Sequence, residues 1–221
     1  MTDAVLLDID GTLIDSTYHH ALAWHRAWAA SNAAVPPLWR IHRAIGMGGD
    51  RLVAHVTDDA TEQSYGDRLR QQWRQEYLPL RKEVLPLPGA ADLVHRLRDR
   101  GNVVALASSG DPQFAQEAVG LLGIADNLAA LLTSDDVDSS KPDPDLIGET
   151  LKAVGPVDRA VFVGDTVHDV ESARRAGIGC IALLSGGYGR AELEEAGAVL
   201  VVETPGDLLE VDLPALLSAV R

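Results

Sequence analysis

Cysteine is almost missing from this 221-residue chain: Cys180 stands alone, so no intrachain disulfide can form. That points to a reducing compartment. Long apolar runs are missing too, and no stretch approaches the ~20 consecutive apolar residues that a membrane helix requires. The opening Met1-Thr2-Asp3 is acidic and leads straight into an apolar stretch, without the basic and then apolar regions of a signal peptide. A cytoplasmic protein with no membrane partner is expected. Positive charge is scarce, with 19 Lys+Arg against 33 Asp+Glu and a net charge of −14. Such a balance argues against nucleic acid or an anionic membrane surface as a partner. The sequence shows no internal repeat and no low-complexity tract.

What remains is an ordinary globular composition, 46% hydrophobic and 24% charged, long enough for one large domain or for one that carries an inserted smaller one. The charge is unevenly spread. Residues 16–85 hold nine Lys+Arg and seven Asp+Glu, a net +2, which leaves −16 for residues 1–15 and 86–221 together. All four tryptophans, Trp24, Trp28, Trp39 and Trp73, fall in the same middle piece. A small helical unit needs large aromatics to fill a thin core.

Local patterns agree with that division. Ala4 to Leu7 reads as a buried strand that ends at Asp8, with a turn at Gly11-Thr12. From Thr17 to Tyr77, Leu22, Ala29 and the tryptophans recur at helical spacing, interrupted by Pro36-Pro37 and by Gly46-Met47-Gly48-Gly49. Pro86-Leu87-Pro88-Gly89 marks a boundary. Helix and strand then alternate. The predicted helices span Ala90 to Asp99, Pro112 to Leu122, Asp143 to Val154 and Asp169 to Ala176. The predicted strands span Val103 to Ala107, Leu128 to Thr133, Ala160 to Val163, Cys180 to Leu184 and Val199 to Val202. This alternation predicts an α/β fold, a Rossmann-like parallel sheet with helices on both faces, and an inserted all-helical unit. In such folds the site lies beyond the carboxyl ends of the strands, and Asp8, Ser108 and Asp165 all stand there.

Four clusters carry chemistry. In Asp8-Ile9-Asp10-Gly11-Thr12, two carboxylates two residues apart repel unless a cation or a division of labour compensates. One carboxylate can accept a phosphoryl group as nucleophile, and the other can move protons to the leaving group and from water. Gly11 permits a tight turn whose backbone N–H groups face a phosphate. Ser108, at the end of an apolar strand, offers a hydroxyl to a phosphate oxygen, while Asp111 before Pro112 suits a helix N-cap. Lys141, followed by Pro142, can supply one fixed positive charge. Asp165 and Asp169, four residues apart at a strand end, suit Mg²⁺, which takes oxygen ligands. Taken singly, each has a bland alternative: a turn, a cap, a surface lysine, a helix N-terminal acid.

Together, in this order and spacing, the four clusters resemble the motifs of the haloacid dehalogenase superfamily, over essentially the whole chain. The resemblance implies that Asp8 is the nucleophile and Asp10 the acid/base. Ser108 and Lys141 would complete the catalytic set. Mg²⁺ would lie among Asp8, Asp165, Asp169 and the Asp10 main-chain carbonyl, and Gly11, Ser108, Ser109 and Lys141 would hold phosphate. It also implies that residues 16–85 form a cap that selects the substrate, a small phosphorylated metabolite. The loop from Arg43 to Leu52 looks like the specificity loop of phosphoglycolate-phosphatase-like members, which makes Arg43, Gly46, Gly48 and Arg51 candidate substrate contacts. The expected assembly is a monomer or homodimer.

Several other signals are set aside. Arg51 stands where the third glycine of a dinucleotide fingerprint belongs. The adjacent His19-His20 cannot present both rings to one side of a helix, so the pair reads as solvated or cap-lining. His168 reads as an exposed neighbour, and Cys180 as core. Phosphate monoester hydrolysis is the expected activity. A phosphosugar mutase would use the same core. C–halogen hydrolysis needs no acid at the second position of the first motif, and a non-catalytic binding module needs no nucleophile and acid together.

Overall fold

The computed structural model describes residues 2–219. Six parallel strands, β1 (Asp3–Leu7), β2 (Val103–Ala107), β3 (Ala130–Leu132), β4 (Arg159–Gly164), β5 (Gly179–Leu183) and β6 (Leu200–Val202), form one sheet in the order β3-β2-β1-β4-β5-β6. A parallel sheet covered on both faces demands side chains that are apolar in both directions, which is why its strands read as unbroken apolar runs. Val5, Leu7, Val104, Leu106, Val161, Val163, Ile181 and Leu183 point to one face. Ala4, Leu6, Ala105, Ala107, Phe162, Cys180 and Ala182 point to the other. The strand order reverses at β1, between β2 and β4. A crevice opens at such a switch point, and Asp8 stands at the end of β1.

Ten helices accompany the sheet among the described residues. The first four are α1 (Thr17–Ala29), α2 (Leu38–His42), α3 (Gly49–Val56) and α4 (Asp59–Leu80). They pack on one another around Trp24, Trp28, Ile41, Leu52, Val53, Val56 and Leu69, with Trp73 at the margin. Trp39 takes no part and is 69% exposed. The remaining six cover the sheet. On one face lie α5 (Ala90–Asp99), α6 (Pro112–Leu122) and α10 (Leu213–Ala219). On the other lie α7 (Asp145–Val154), α8 (Val167–Arg175) and α9 (Arg190–Ala196). The chain enters and leaves the four-helix unit along paired connectors. Asp15 N donates to Leu85 O and Leu87 N to Leu13 O, both at 2.9 Å.

Element boundaries depart from the sequence pattern where polar side chains intervene. Helix α8 starts two residues before the predicted Asp169, because the Thr166 hydroxyl accepts from Asp169 N and the Asp169 carboxylate accepts from Thr166 N, a capping box. Helix α7 starts at Asp145, after Pro142 and Pro144, rather than at Asp143. Strand β3 keeps three residues of the predicted six, since only that stretch finds a partner along β2. Helices α9 and α10, seven residues each, are too short to display a clear period. Among the described residues, no helix is long and apolar enough to cross a membrane.

Cys180 is 2% exposed inside β5, and burial pushes its thiol well above the ordinary range. The native protein is therefore expected to resist a thiol-specific chromogenic reagent, with one thiol per chain appearing only on denaturation. Rapid native labelling would show that the strand is open.

Candidate active site

Asp8 follows β1 directly and is 4% exposed. Its Oδ1 accepts from Ile9 N at 2.8 Å, and its Oδ2 lies 2.9 Å from Lys141 Nζ. Lys141 is completely buried, and its ammonium also meets Asp169 Oδ1 at 2.8 Å. The Phe162 ring centroid lies 4.9 Å from the same nitrogen, so the ammonium rests on an aromatic face. Burial alone would lower the lysine pKa, but the Asp169 and Asp8 charges outweigh it and raise it. Lys141 is thus a permanent cation.

One ammonium does not balance the acids around it. Asp8, Asp165 and Asp169 each offer an oxygen within 4.8 Å of the others, and all three are buried. Burial is the main reason that Asp8 is pushed up to about 7; Lys141 opposes it, and Asp169 and Asp10 reinforce it. Burial, then Asp169 and Asp8, likewise raise Asp165 well above the carboxylate range. Asp165 Oδ1 accepts from the Thr12 hydroxyl at 2.9 Å, whereas its Oδ2 is buried without a hydrogen-bond partner among the described residues. Excess buried negative charge, a donor set made only of oxygens and an orphaned carboxylate oxygen fit a hard divalent cation. Backbone packs closely on that oxygen: a Cβ on Gly11, whose φ is +76°, or on Gly186 would collide with it.

Asp10 faces the same cavity from the other side. Its Oδ1 accepts from the Ser16 hydroxyl at 2.5 Å and meets His20 Nε2 at 2.9 Å. Burial pushes Asp10 up, but His20 and the Ser16 hydrogen bond outweigh it and hold the carboxyl below its ordinary range. The His20 ring is fixed by stacking on Tyr77, centroids 3.9 Å apart. Ser108 is 1% exposed, and its hydroxyl accepts from Gly110 N at 3.0 Å. The neighbouring Ser109 hydroxyl is buried without a partner among the described residues. Asp111 caps α6 by accepting from Gln113 N at 2.9 Å, which leaves both serines to the cavity.

The structure brings Lys141 against Asp8 and Asp169, and Asp165 into one acidic cluster with those two carboxylates, with Asp10, Ser108 and Ser109 along the cavity that Asp8 lines. The loop residues of the four-helix unit divide. Gly46 lines the cavity, and its φ of +103° lets the loop rest against Thr166. Gly48 does not line it; Gly48 N donates to the Ser140 hydroxyl at 3.0 Å. Arg43 and Arg51, expected against substrate, turn away to the sheet domain. Arg43 pairs with Glu192 at 2.5 Å and lies 3.9 Å over the Tyr188 ring, and Arg51 pairs with Asp143. Their proximity in sequence to the glycines said nothing about direction. The basic residue that does line the cavity is Arg70, from α4.

Sequence reasoning also missed His20, by asking whether two adjacent histidines could act together when one suffices. The usable signal was Ser16 and His20 one helical turn apart beside the Asp10 turn. His168, read as exposed, is 8% exposed, with Nε2 3.1 Å from Arg43 O.

Comparison with known proteins agrees with this geometry. A family model described as haloacid dehalogenase-like hydrolase matches residues 2–177. The chain belongs to this family. Among curated relatives, N-acetylmuramic acid 6-phosphate phosphatase of Pseudomonas aeruginosa is 30% identical over 94% of this chain and 93% of its own length. A phosphoglycolate phosphatase of Pseudomonas syringae pv. syringae is 26% identical over 98% of this chain and 84% of its own length. Among solved structures, a hydrolase from Pseudomonas syringae superposes with a TM-score of 0.88 at 36% identity, covering 95% of this chain and 96% of that one. The chain is therefore an enzyme of the hydrolase type.

Four arginines of the helical unit pair across to the sheet domain: Arg43 with Glu192, Arg51 with Asp143, Arg74 with Asp111 and Arg81 with Glu117. All are partly exposed, so salt screens them. Raising ionic strength from about 0.01 M to about 1 M shortens the screening length from about 30 to about 3 Å. Tryptic cleavage at Lys82, in the connector, should then accelerate. Replacing all four arginines with glutamine should make cleavage fast at either salt concentration; a variant with unchanged salt response would show that the pairs do not hold the units together.

Proposed function

We propose that this enzyme is a Mg²⁺-dependent phosphatase that hydrolyses a small phosphate monoester through an aspartyl phosphate on Asp8. The observation that carries the reading is the convergence of buried Asp8, the Lys141 ammonium 2.9 Å from it and the Asp10 carboxyl at the end of the strand where the sheet order reverses. Asp8, Asp165 and Asp169, with the Asp10 main-chain carbonyl, would hold the Mg²⁺, which when bound neutralises charge on the nucleophile and on the phosphate. Lys141 opposes the burial that raises the Asp8 carboxyl, orients it, and offers a fixed charge to the phosphoryl oxygens. Ser108, Ser109 and the Gly11 turn receive the remaining phosphate oxygens.

An Asp8 oxygen attacks phosphorus while the bond from phosphorus to the ester oxygen breaks. Asp10, on its own held below the ordinary carboxyl range, takes up a proton as the anionic phosphate binds beside it, and gives that proton to the departing alkoxide. The same carboxylate then takes a proton from water, whose oxygen attacks the acyl phosphate. The Asp8–phosphorus bond breaks, inorganic phosphate leaves, and Asp8 and Asp10 return to their starting states. Ser16 and His20 fix the Asp10 carboxyl for both transfers. Residues 16–85 act as the lid that excludes water and selects the leaving group. Asp10 favours this chemistry over C–halogen hydrolysis, because a departing halide takes no proton. It also favours an enzyme over a binding module, which has no use for an acid beside a nucleophile.

Asp8→Asn should lower kcat by about three orders of magnitude or more, ~4 kcal/mol of barrier, with the fold intact by circular dichroism. Near-normal turnover in the purified variant would end the proposed mechanism. Chelation should abolish activity and lower the thermal midpoint, and Mg²⁺ should restore both. Ca²⁺, which accepts more ligands and looser geometry, should restore the midpoint but not turnover. Full activity after complete chelation would remove the metal from the reading.

A further inference from the structure

The cavity that holds Asp8 and Asp10 has a volume of about 280 Å³, at the small end of sites that usually run from roughly 300 to 1,000 Å³. Beyond the phosphate it has room for a leaving group of about one ring.

Two properties of its wall narrow the choice. The first is aromatic. Trp24 and Trp73 both line the cavity and stack on each other, centroids 5.5 Å apart and planes 19° apart. Ile45, Met47 and Leu52 extend the same apolar side. Trp73 is also stacked on Tyr77 and on His20, so the rings form one rigid block that presents an apolar wall to the cavity, which suits a ring that carries C–H groups.

The second property is charge. Among the described residues that line the cavity, Arg70 is the one Lys or Arg. It is already engaged: Nη2 lies 2.8 Å from both Glu62 and Asp67, and Nη1 donates to Gly49 O at 2.9 Å. Asp111, Asp135 and Asp138 line the cavity as well. Arg74 compensates Asp111. Asp135 and Asp138 are exposed and make no ion pair among the described residues. A second anion on the substrate would meet these carboxylates with no free cation to receive it, and desolvating an unpaired charge costs more than a few apolar contacts return.

We infer that the substrate's leaving group is an uncharged ring-bearing alcohol, a cyclic polyol such as a sugar, and that carboxylate-bearing and doubly phosphorylated esters are excluded. The inference rests on the phosphatase reading above. It makes the Trp24–Trp73 pair the apolar wall that the ring rests against, and Asp135 and Asp138 the residues that reject a second anion. It also favours hydrolysis over a mutase reaction, whose intermediate must carry two phosphates.

The test assays the wild-type protein with Mg²⁺ on hexose 6-phosphates, on 2-phosphoglycolate and on p-nitrophenyl phosphate. The ratio of kcat/KM for the best hexose phosphate to that for phosphoglycolate should be about tenfold or more. Asp135→Lys combined with Asp138→Lys should lower that ratio by about tenfold. Trp73→Leu, with its thermal midpoint checked, should raise KM for the hexose phosphate more than it changes kcat. A wild-type ratio below one overturns the inference, as does a ratio unmoved by the double charge reversal. Turnover of the aryl ester with no hexose phosphate accepted overturns it too. If none of the esters is hydrolysed, the phosphatase reading falls, and binding decides the ligand class separately. Tryptophan fluorescence of Asp8→Asn quenched by a hexose 6-phosphate and not by phosphoglycolate upholds the class; the reverse, or no response to either, rejects it.

Discussion

A fully buried ammonium organises this molecule. Lys141 sits between Asp8 and Asp169, within 3 Å of each, and an unpaired charge at that depth would be destabilising by several kcal/mol. Each partner is also fixed from its far side. Asp8 is held by the backbone of Ile9. Asp169 Oδ2 accepts from the Thr166 hydroxyl at 2.7 Å and from Thr166 N at 3.0 Å. The ammonium therefore ties β1, the loop before α7 and the start of α8 into one unit. The same charge that makes burial of the carboxylates tolerable also orients Asp8.

Asp165 is the counterpart of that arrangement. It shares the buried acidic cluster without touching Lys141, and one of its oxygens is left unsatisfied beneath two glycines. Three buried carboxylates answered by one ammonium leave an excess of negative charge among oxygen donors, the chemistry that a hard cation suits.

The sheet and the three strand-end clusters were legible in sequence because both depend on short-range pattern. Continuous apolar runs mark strands buried on two faces, and function sits where those runs stop. Asp8, Ser108 and Asp165 could be located by that rule alone. Direction was not legible. Arg43 and Arg51 flank a glycine-rich loop that reaches the cavity, yet their side chains extend to Glu192 and Asp143, more than 90 residues away in sequence. His20 escaped for the opposite reason: its partner Asp10 is near in sequence, but the stacking on Tyr77 that fixes its ring comes from the far end of α4. Helix starts were displaced by capping, which depends on side-chain hydrogen bonds that apolar periodicity does not register.

The paired connectors have a consequence for ancestry. Leu13 and Leu87 are joined by a backbone hydrogen bond although 73 residues lie between them, so the sheet registers only that the chain departs and returns at one place. Loop closure grows costlier only slowly with length. Helices can be gained, lost or exchanged between those two points without moving a strand or a catalytic carboxylate. A lineage could thus rewrite the helical unit while leaving the sheet and its strand-end carboxylates in place, with the close fit of Gly46 on Thr166 and Gly48 on Ser140 as the condition any replacement must meet.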